Sequence, residues 1–401
     1  MWSNAVARAT LVAMHDPSSG HEQQRAALRE VDRFAASSLA PAVERHERPM
    51  TWSVLEPLLA RAETLGLGGC AVEPAAEAER DGARLEPWGD NDGPVLVAGA
   101  TLRIWCTLSR TSTAVALALH QRALARFVLR AAGASGPVER PCALVAEGRF
   151  GLGRLAFARA FGDGALDAQT CAFLEDVYDA SKPRVVTIEP ETEHFVMARF
   201  SPARGLGFAA YARDALVVAP RAHAHGLDEL ATHRVAAAGA PWWTDALDAP
   251  DARKLAASVF AAHQLALVAI SLGAVERAHA MARRYAGDRM QGGREIHSHP
   301  AVLALLGKTR CAATTAGAQL DSFADRPLDR EALFDAISLR ATAHPLLADA
   351  ANAALQVFGG LGYMRDTGVE KAVRDVNHLR AGAGSPPELS LVLGEWGRCH
   401  E

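Results

Sequence analysis

The sequence predicts a mainly α-helical protein of the α+β class, in which a small β domain lies between two helical domains. Three observations support this prediction. Residues from about 20 to 135, and again from about 250 to the end, place apolar side chains at helical spacing. Residues from about 136 to 245 instead contain short apolar runs bounded by Gly, Pro, Asp and Ser. Strands and helices do not alternate, so a doubly wound parallel sheet is disfavoured, and the predicted domains are residues 1–135, 136–245 and 246–401.

The amino-terminal domain is predicted from three helical runs, 22–47, 52–65 and 111–132. Each run places apolar residues at i, i+3, i+4 and i+7, which form one face of a helix. Thr111 or Ser112 is a suitable N-cap for the third run, because a side-chain oxygen there accepts from a free backbone N–H. Gly133 is suited to end that helix.

The middle domain is predicted to be a small antiparallel sheet. The stretch Ala168–Ala180 does not fit a strand pattern and is left open as a helix or a loop. The glycine-rich string GRFGLGRLAF from Gly148 lacks the third glycine and the acidic residue of a dinucleotide-binding loop, so a turn between strands is favoured there. The predicted strands are Cys142–Val145, Val185–Ile188, Phe195–Phe200, Leu206–Tyr211 and Ala215–Val218.

The carboxy-terminal domain is predicted to be a four-helix bundle. Its first three helices are expected at Ala252–Gly287, Pro300–Phe323 and Arg330–Phe358. The first is apolar nearly all the way round between Ala261 and Ala274, which is typical of a helix at the centre of a bundle.

Composition and cysteine usage exclude several classes of function. A net charge of −4 gives no electrostatic basis for a nucleic-acid partner. The six cysteines form no CxxC pair and are typical of free thiols in a reducing compartment. The longest apolar stretch, around Leu265–Val275, is too short to span a bilayer. The histidine pairs at 223 and 225 and at 297 and 299 lack further ligands, so no metal site is predicted. We therefore expect a cytoplasmic protein without a nucleic-acid or membrane partner.

Two strings near the carboxy terminus are more specific than a helical pattern. QVFGGLGYMRDTGVEKAVRD spans Gln356–Asp375, and YAGDRMQGGREIHSHPAV spans Tyr285–Val302. Paired glycines after a helix let the backbone turn through positive φ and approach a ligand with no Cβ in the way. An ordinary glycine cap and a surface arginine are the structural alternatives for these features. As whole strings, they resemble the signature segments of the acyl-CoA dehydrogenase family.

This resemblance implies the family's fold, FAD as the cofactor, and FAD contacts that come from two subunits of a homodimer or homotetramer. Carried over position by position, it implies that Arg289 contacts the pyrophosphate of a neighbouring subunit's FAD. Gln356, Gly359 and Gly360 would lie along the adenosine half, and Ser385 would also bind the cofactor. An arginine suits a pyrophosphate because this contact is charge-assisted and often bidentate. The implied substrate is an acyl-CoA or acyl-carrier thioester, with an unknown electron acceptor.

The catalytic base of the family has no direct counterpart. The family's reaction removes an α-proton from an acyl thioester, and a glutamate takes that proton. Here the usual glutamate position falls on Ala383, and the alternative position on the long helix falls on His263. A lone histidine in an apolar stretch is more often a core residue, although a neutral imidazole can act as a base. Glu388 would reach the same point only through a remodelled loop.

Three hypotheses for the function follow from the resemblance. The first is an FAD-dependent oxidation of an acyl thioester in fatty acid metabolism, with His263 or a displaced carboxylate as base. The second is a non-catalytic homologue that acts as a scaffold or binding subunit, which the loss at both base positions favours. The third is a flavin-dependent monooxygenase on the same fold, whose chemistry needs no such base.

The middle domain departs from the family's pattern at two places. The string ALVAEGRFGLG stands in place of the family's loop at the flavin ring. The family's Trp-x-Thr/Ser segment has no counterpart in this sequence.

Overall fold

The computed structural model describes residues 26, 28–43, 49–69, 88, 95–136, 140–145, 153–219 and 224–400, apart from the side chains of residues 153, 154, 399 and 400. Helices at both ends of this part of the chain enclose a small β region, as the sequence predicts. The main hydrophobic core contains residues of all three regions, so they pack into one body.

Four amino-terminal helices contribute to this core: α1 at 28–43, α2 at Trp52–Thr64, α3 at Thr101–Ser109 and α4 at Thr113–Ala131. Ser112 is the N-cap of α4, and its hydroxyl accepts from the Val115 N–H at 3.2 Å. Helix α3 lies outside the three predicted runs. Nearly all of its residues are buried, so the sequence lacks the alternation of apolar and polar faces from which a helix is predicted. The two ends of the predicted run 22–47 fall outside the described residues.

The middle region contains two sheets, with strand orders β1-β3-β4-β7 and β2-β6-β5. All five predicted strands are present, with ends within one residue of those predicted. The prediction that the domain is antiparallel throughout is wrong at one pair, because β1 runs parallel to β3. The strands are β1 Cys142–Val145, β2 Arg184–Ile188, β3 His194–Ser201, β4 Gly205–Ala212, β5 Leu216–Val218, β6 Ala231–Ala237 and β7 Trp243–Thr244.

Two helices follow β1: α5 at Gly153–Ala160 and α6 at Ala168–Tyr178. The stretch Ala168–Ala180, for which the sequence allowed a helix or a loop, forms helix α6. Helix α5 covers the second half of the glycine-rich string, where a turn was predicted, and residues 146–152 lie outside the described part of the chain. A connection of this length allows β1 to pair in parallel, which a tight turn would not.

The carboxy-terminal region consists of a long helix, a short hairpin and four further helices. The three predicted helices are present within three residues of their predicted ends. The elements are α7 Ala249–Asp288, β8 Met290–Gln291, β9 Arg294–Glu295, α8 Pro300–Asp321, α9 Arg330–Val357, α10 Val369–Ala381 and α11 Pro386–His400.

Helix α7 is the central element, because it packs against α3, α4, α8, α9 and α10. Its 40 residues span about 60 Å at 1.5 Å per residue. By length and composition alone it could cross a membrane, with a mean hydropathy of 1.9 over its most apolar window, but that window is buried entirely inside the protein. Such burial is typical of a core helix. The polar residues within it therefore require partners from neighbouring elements.

Candidate active site and flavin surface

Two adjacent polar residues of α7, His263 and Gln264, lie at the centre of the protein, and each is at most 6% exposed. The Gln264 Nε2 donates to the carbonyl oxygen of Ala383 at 3.3 Å. Ala383 follows α10, so this contact joins the neighbour of His263 on α7 to one of the two expected base positions. Neither Ala383 nor His263 is a carboxylate.

His263 is the end of a buried hydrogen-bond chain. The Trp88 indole donates to His120 Nδ1 at 3.2 Å, and His120 Nε2 lies 3.0 Å from His263 Nδ1. An indole N–H can only donate, so His120 Nδ1 is the acceptor and the proton of this neutral ring sits on Nε2. His120 must then donate to His263, whose Nδ1 lone pair is occupied. Burial holds the pKa of His120 well below its ordinary value, so the ring is neutral.

The free nitrogen of His263 is therefore a donor rather than a base. With Nδ1 accepting from His120, the ring proton sits on Nε2. Burial, and then the positive charge of Arg340, lower the pKa of His263 from 6.5 to about 3. A group with so low a pKa is a weak proton acceptor near neutral pH. The geometry thus favours the core-residue alternative for His263.

Arg340 of α9 is fully buried and organises the segment that carries Ala383. Its guanidinium donates to the carbonyl oxygens of Leu379 at 3.1 Å and Ala383 at 3.0 Å, and also to that of Gly382. The same group donates to Gln264 Oε1 and, through Nε, to His344 Nδ1 at 3.1 Å. Sequence reasoning missed Arg340; the available signal was a charged residue within the buried run of α9.

The segment after α10 has an unusual backbone. Ala383 has a φ of +47° and Gly384 a φ of +106°, and the Ala383 side chain is only 5% exposed. The left-handed region costs an L-residue about 1–2 kcal/mol. Arg340 offsets this cost by binding the carbonyls on both sides of the turn. A side chain larger than alanine here would have to fit a buried and already strained position.

The two signature strings meet at the other end of α7. The Tyr285 ring stacks on Phe358 with centroids 4.4 Å apart. This contact joins the end of α7, where Arg289 is the C-cap, to the turn after α9. Gly359 has a φ of +57°, and a Cβ on Gly359 or Gly360 would meet no atom within 4 Å. Gln356, Gly360 and Arg289 are exposed.

This surface fits the adenosine and pyrophosphate half of FAD. Among the residues that the structure describes, the Arg289 guanidinium has no ion-pair or hydrogen-bond partner. Only the backbone of Arg289 is engaged: its N–H donates to the Tyr285 carbonyl, and its carbonyl accepts from the Ile296 N–H. A free guanidinium next to an open glycine turn can bind a pyrophosphate in a bidentate manner. Arg289, Gln356, Gly359 and Gly360 would hold the cofactor here.

Ser385, the fifth expected cofactor residue, is engaged in capping α11. Its backbone N–H and its hydroxyl both donate to Glu388 Oε2, at 2.8 and 2.7 Å. A serine followed three positions later by a glutamate that reaches back to it is a capping arrangement. The carboxylate of Glu388 is thereby held at the start of α11. Residues 146–152, which stand where the family's flavin-ring loop is expected, lie outside the described part of the chain.

Part of the chain matches a known protein family. The family model for the acyl-CoA dehydrogenase carboxy-terminal domain matches residues 253–387. The probable acyl-CoA dehydrogenase YngJ of Bacillus subtilis is 27% identical over 135 residues. This match covers 32% of the present chain and spans about a third, 34%, of that relative's length.

Solved structures extend the similarity to nearly the whole chain. Butyryl-CoA dehydrogenase of Megasphaera elsdenii superimposes with a TM-score of 0.65 and 14% identity, over 93% of this chain and 97% of that one. The prolyl acyl carrier protein oxidase AnaB gives 0.67 and 16%, over 93% and 98%. PigA, solved with FAD and proline, gives 0.68 and 14%, over 97% and 100%. At these identities the likeness shows the fold alone.

The sequence match and the structural matches agree on one assignment. Residues 253–387 contain both signature strings and the expected base position at Ala383. The structural matches add the amino-terminal helices and the β region, and confirm the predicted fold class. Residues 253–387 thus match the carboxy-terminal domain of the acyl-CoA dehydrogenase family, and the chain as a whole has that family's fold.

Proposed function

We propose that this chain binds FAD but does not dehydrogenate acyl thioesters, because neither expected position carries a base for the α-proton. This is the second of the hypotheses drawn from the sequence, with flavin binding retained. One observation supports it above all others: one expected base position is Ala383, and the other is a histidine whose Nδ1 lone pair accepts from His120.

The missing base matters because the family's reaction needs two acceptors, one for a hydride and one for the α-proton. FAD, when bound, accepts the hydride, and a side chain of the protein must take the α-proton. Near Ala383, the contacting groups are the Arg340 guanidinium and the Gln264 amide, both of which donate to its carbonyl. Donors and a cation can orient a carbonyl-containing ligand but cannot remove a proton from carbon.

Retention of FAD is supported by the surface at the other end of α7. Arg289 is exposed, and the glycine turn next to it is open. By analogy with the family, the cofactor of one subunit would reach this surface on another, in a homodimer or homotetramer. A cytoplasmic location and an acyl-CoA or acyl-carrier ligand that is bound without being oxidised complete the proposal.

The first experiment is a visible spectrum of the purified protein before and after it is incubated with FAD and freed of excess. We expect a flavin band that no acyl-CoA bleaches under anaerobic conditions. The variant Arg289→Gln should lose this band, whereas Arg283→Gln, a change at another exposed arginine of α7, should keep it. Absence of retained flavin would contradict the FAD part of the proposal.

If an acyl-CoA bleached the flavin band, the chain would be an active dehydrogenase. That result would contradict the proposal and support the first hypothesis, an FAD-dependent oxidation of an acyl thioester. Oxygen consumption with supplied reduced flavin would instead identify a monooxygenase. A further check restores the carboxylate, with Ala383→Glu at one base position and His263→Glu at the other. If either variant gains acyl-CoA-dependent bleaching, the acyl site survives and only the base was lost. If neither does, the ligand site itself has changed.

A further inference from the structure

A cavity of about 1040 Å³ lies far from Ala383, between α1, the carboxy-terminal half of α7 and the start of α10. It is separated from His263 along α7 by roughly 20 Å, at 1.5 Å per residue. Arg110 and Thr111, in the turn between α3 and α4, and the loop before β6 complete its wall. Ligand sites in proteins have volumes of this order, about 300–1,000 Å³.

The cavity wall carries more positive charge than its own acids neutralise. Lys371 pairs with Glu229 at 2.9 Å and with Asp375 at 2.6 Å. Arg374 pairs with Asp228 and Glu370. Among the described residues, three lining arginines form no ion pair, and Asp366 is the unpaired acid that opposes them. These three are Arg277, Arg284 and Arg365.

Arg277 is the least satisfied of the three arginines. Its Nη1 donates to the Thr111 carbonyl at 3.2 Å. Its Nε and Nη2 are buried and have no hydrogen-bond partner among the described residues. A buried guanidinium nitrogen without an acceptor is costly, and an anion within the cavity would supply the missing acceptors.

We infer that this cavity binds a phosphorylated small molecule, whose phosphate is held by Arg277, Arg284 and Arg365. Arginine is well suited to this role, because its planar fork matches two phosphate oxygens at once. The volume leaves room for an attached group of nucleoside size. Arg277 and Arg284 lie seven residues apart, about two turns along the same face of α7, and both line the cavity, whereas Arg283 does not line it.

The test is calorimetric titration of the purified full-length chain with pyrophosphate, AMP and adenosine. We expect pyrophosphate and AMP to bind and adenosine not to bind. Arg277→Gln and Arg284→Gln should each weaken binding by about tenfold or more, since hydrogen bonds to charged groups are worth that much in affinity. Arg283→Gln is the matched control and should bind as the parent does.

Two further results separate this site from the flavin surface. Arg289→Gln should still bind pyrophosphate at the cavity. The inference would be overturned if Arg289→Gln lost pyrophosphate binding while Arg277→Gln and Arg284→Gln retained it. Equal binding of adenosine and AMP, or no binding of either phosphate, would also overturn it. Arg284 is exposed, so its substitution tests the site even if the half-buried Arg277 is needed for folding.

Discussion

The buried polar side chains along α7 each have a specific partner, and the partner determines what the side chain can do. His263 accepts from His120, which accepts from Trp88. Gln264 is bonded to Arg340 and to the Ala383 carbonyl. A proton acceptor at this point would need a free lone pair, and these contacts use the lone pair of His263. The identities of these partners depend on tertiary contacts, so the sequence could suggest His263 but not its role.

The neutral histidine pair predicts a specific pH dependence of stability. Burial lowers the pKa of both His120 and His263, to about 3 for the latter, whereas in the unfolded chain each has the ordinary value of 6.5. As the pH falls below 6.5, the unfolded chain binds protons that the native state does not, so native stability is present above 6.5 and is lost towards 3. Each histidine contributes a slope of up to about 1.4 kcal/mol per pH unit.

Urea unfolding at neutral and at mildly acidic pH measures this slope. The double variant His120→Gln/His263→Gln should show a smaller loss of stability on acidification than the parent, whatever its stability at neutral pH. His297→Gln, which removes an exposed ring, is the control for the exchange of histidine for glutamine. An unchanged slope in the double variant would show that these two rings are not neutral in the native state or are not buried.

The left-handed conformation of Ala383 predicts a stabilising glycine. Ala383→Gly removes the strain of a φ of +47°, about 1–2 kcal/mol, against a loss of about 0.4–1 kcal/mol from the more flexible unfolded chain. We expect a net gain of about 0.5–1 kcal/mol in the free energy of unfolding, measured by urea titration. The same exchange at Ala304, exposed within α8, should destabilise instead. If Ala383→Gly also destabilises, this turn is not strained.

At the scale of secondary structure, prediction succeeded where one face of an element is polar or its ends carry turn residues. The five predicted strands are bounded by Gly, Pro, Asp or Ser, and α7 is marked by its length. Helix α3 was missed because it is buried almost all round. The parallel pairing of β1 with β3 could not be predicted, since strand direction depends on the helices between them and not on the strand residues themselves.

At the start of α11, a substitution of Ser385 distinguishes a structural role for this residue from a cofactor-binding role. Because Ser385 donates twice to Glu388, Ser385→Ala should lower the free energy of unfolding by about 1 kcal/mol. Retained flavin, measured by absorbance after gel filtration, should not change. Glu388→Gln weakens the same contact from the other side and should also destabilise. Loss of flavin from Ser385→Ala at unchanged stability would assign Ser385 to the cofactor instead.

At the scale of the whole molecule, one end of the bundle exposes apolar side chains next to the proposed flavin surface. Met290, Leu361, Tyr363 and Met364 are each 48–69% exposed. They flank Arg289 and the glycine turn in sequence. An exposed apolar group of this kind is typical of an interface between proteins. If FAD is shared between two subunits, this surface should be buried in the oligomer, and loss of the oligomer should also release the flavin.

The variant Leu361→Asp tests this link. A charge in an apolar interface is costly to bury, so we expect the variant to sediment as a smaller species than the parent in analytical ultracentrifugation and to retain less flavin. Leu391→Asp is the matched control, because Leu391 is similarly exposed, at 57%, but lies on α11 away from both signature strings. If Leu361→Asp keeps both the oligomer and the flavin, this end of the bundle is not the interface. If it loses the oligomer but keeps the flavin, a single subunit holds FAD, and Arg289 must contact the cofactor of its own chain.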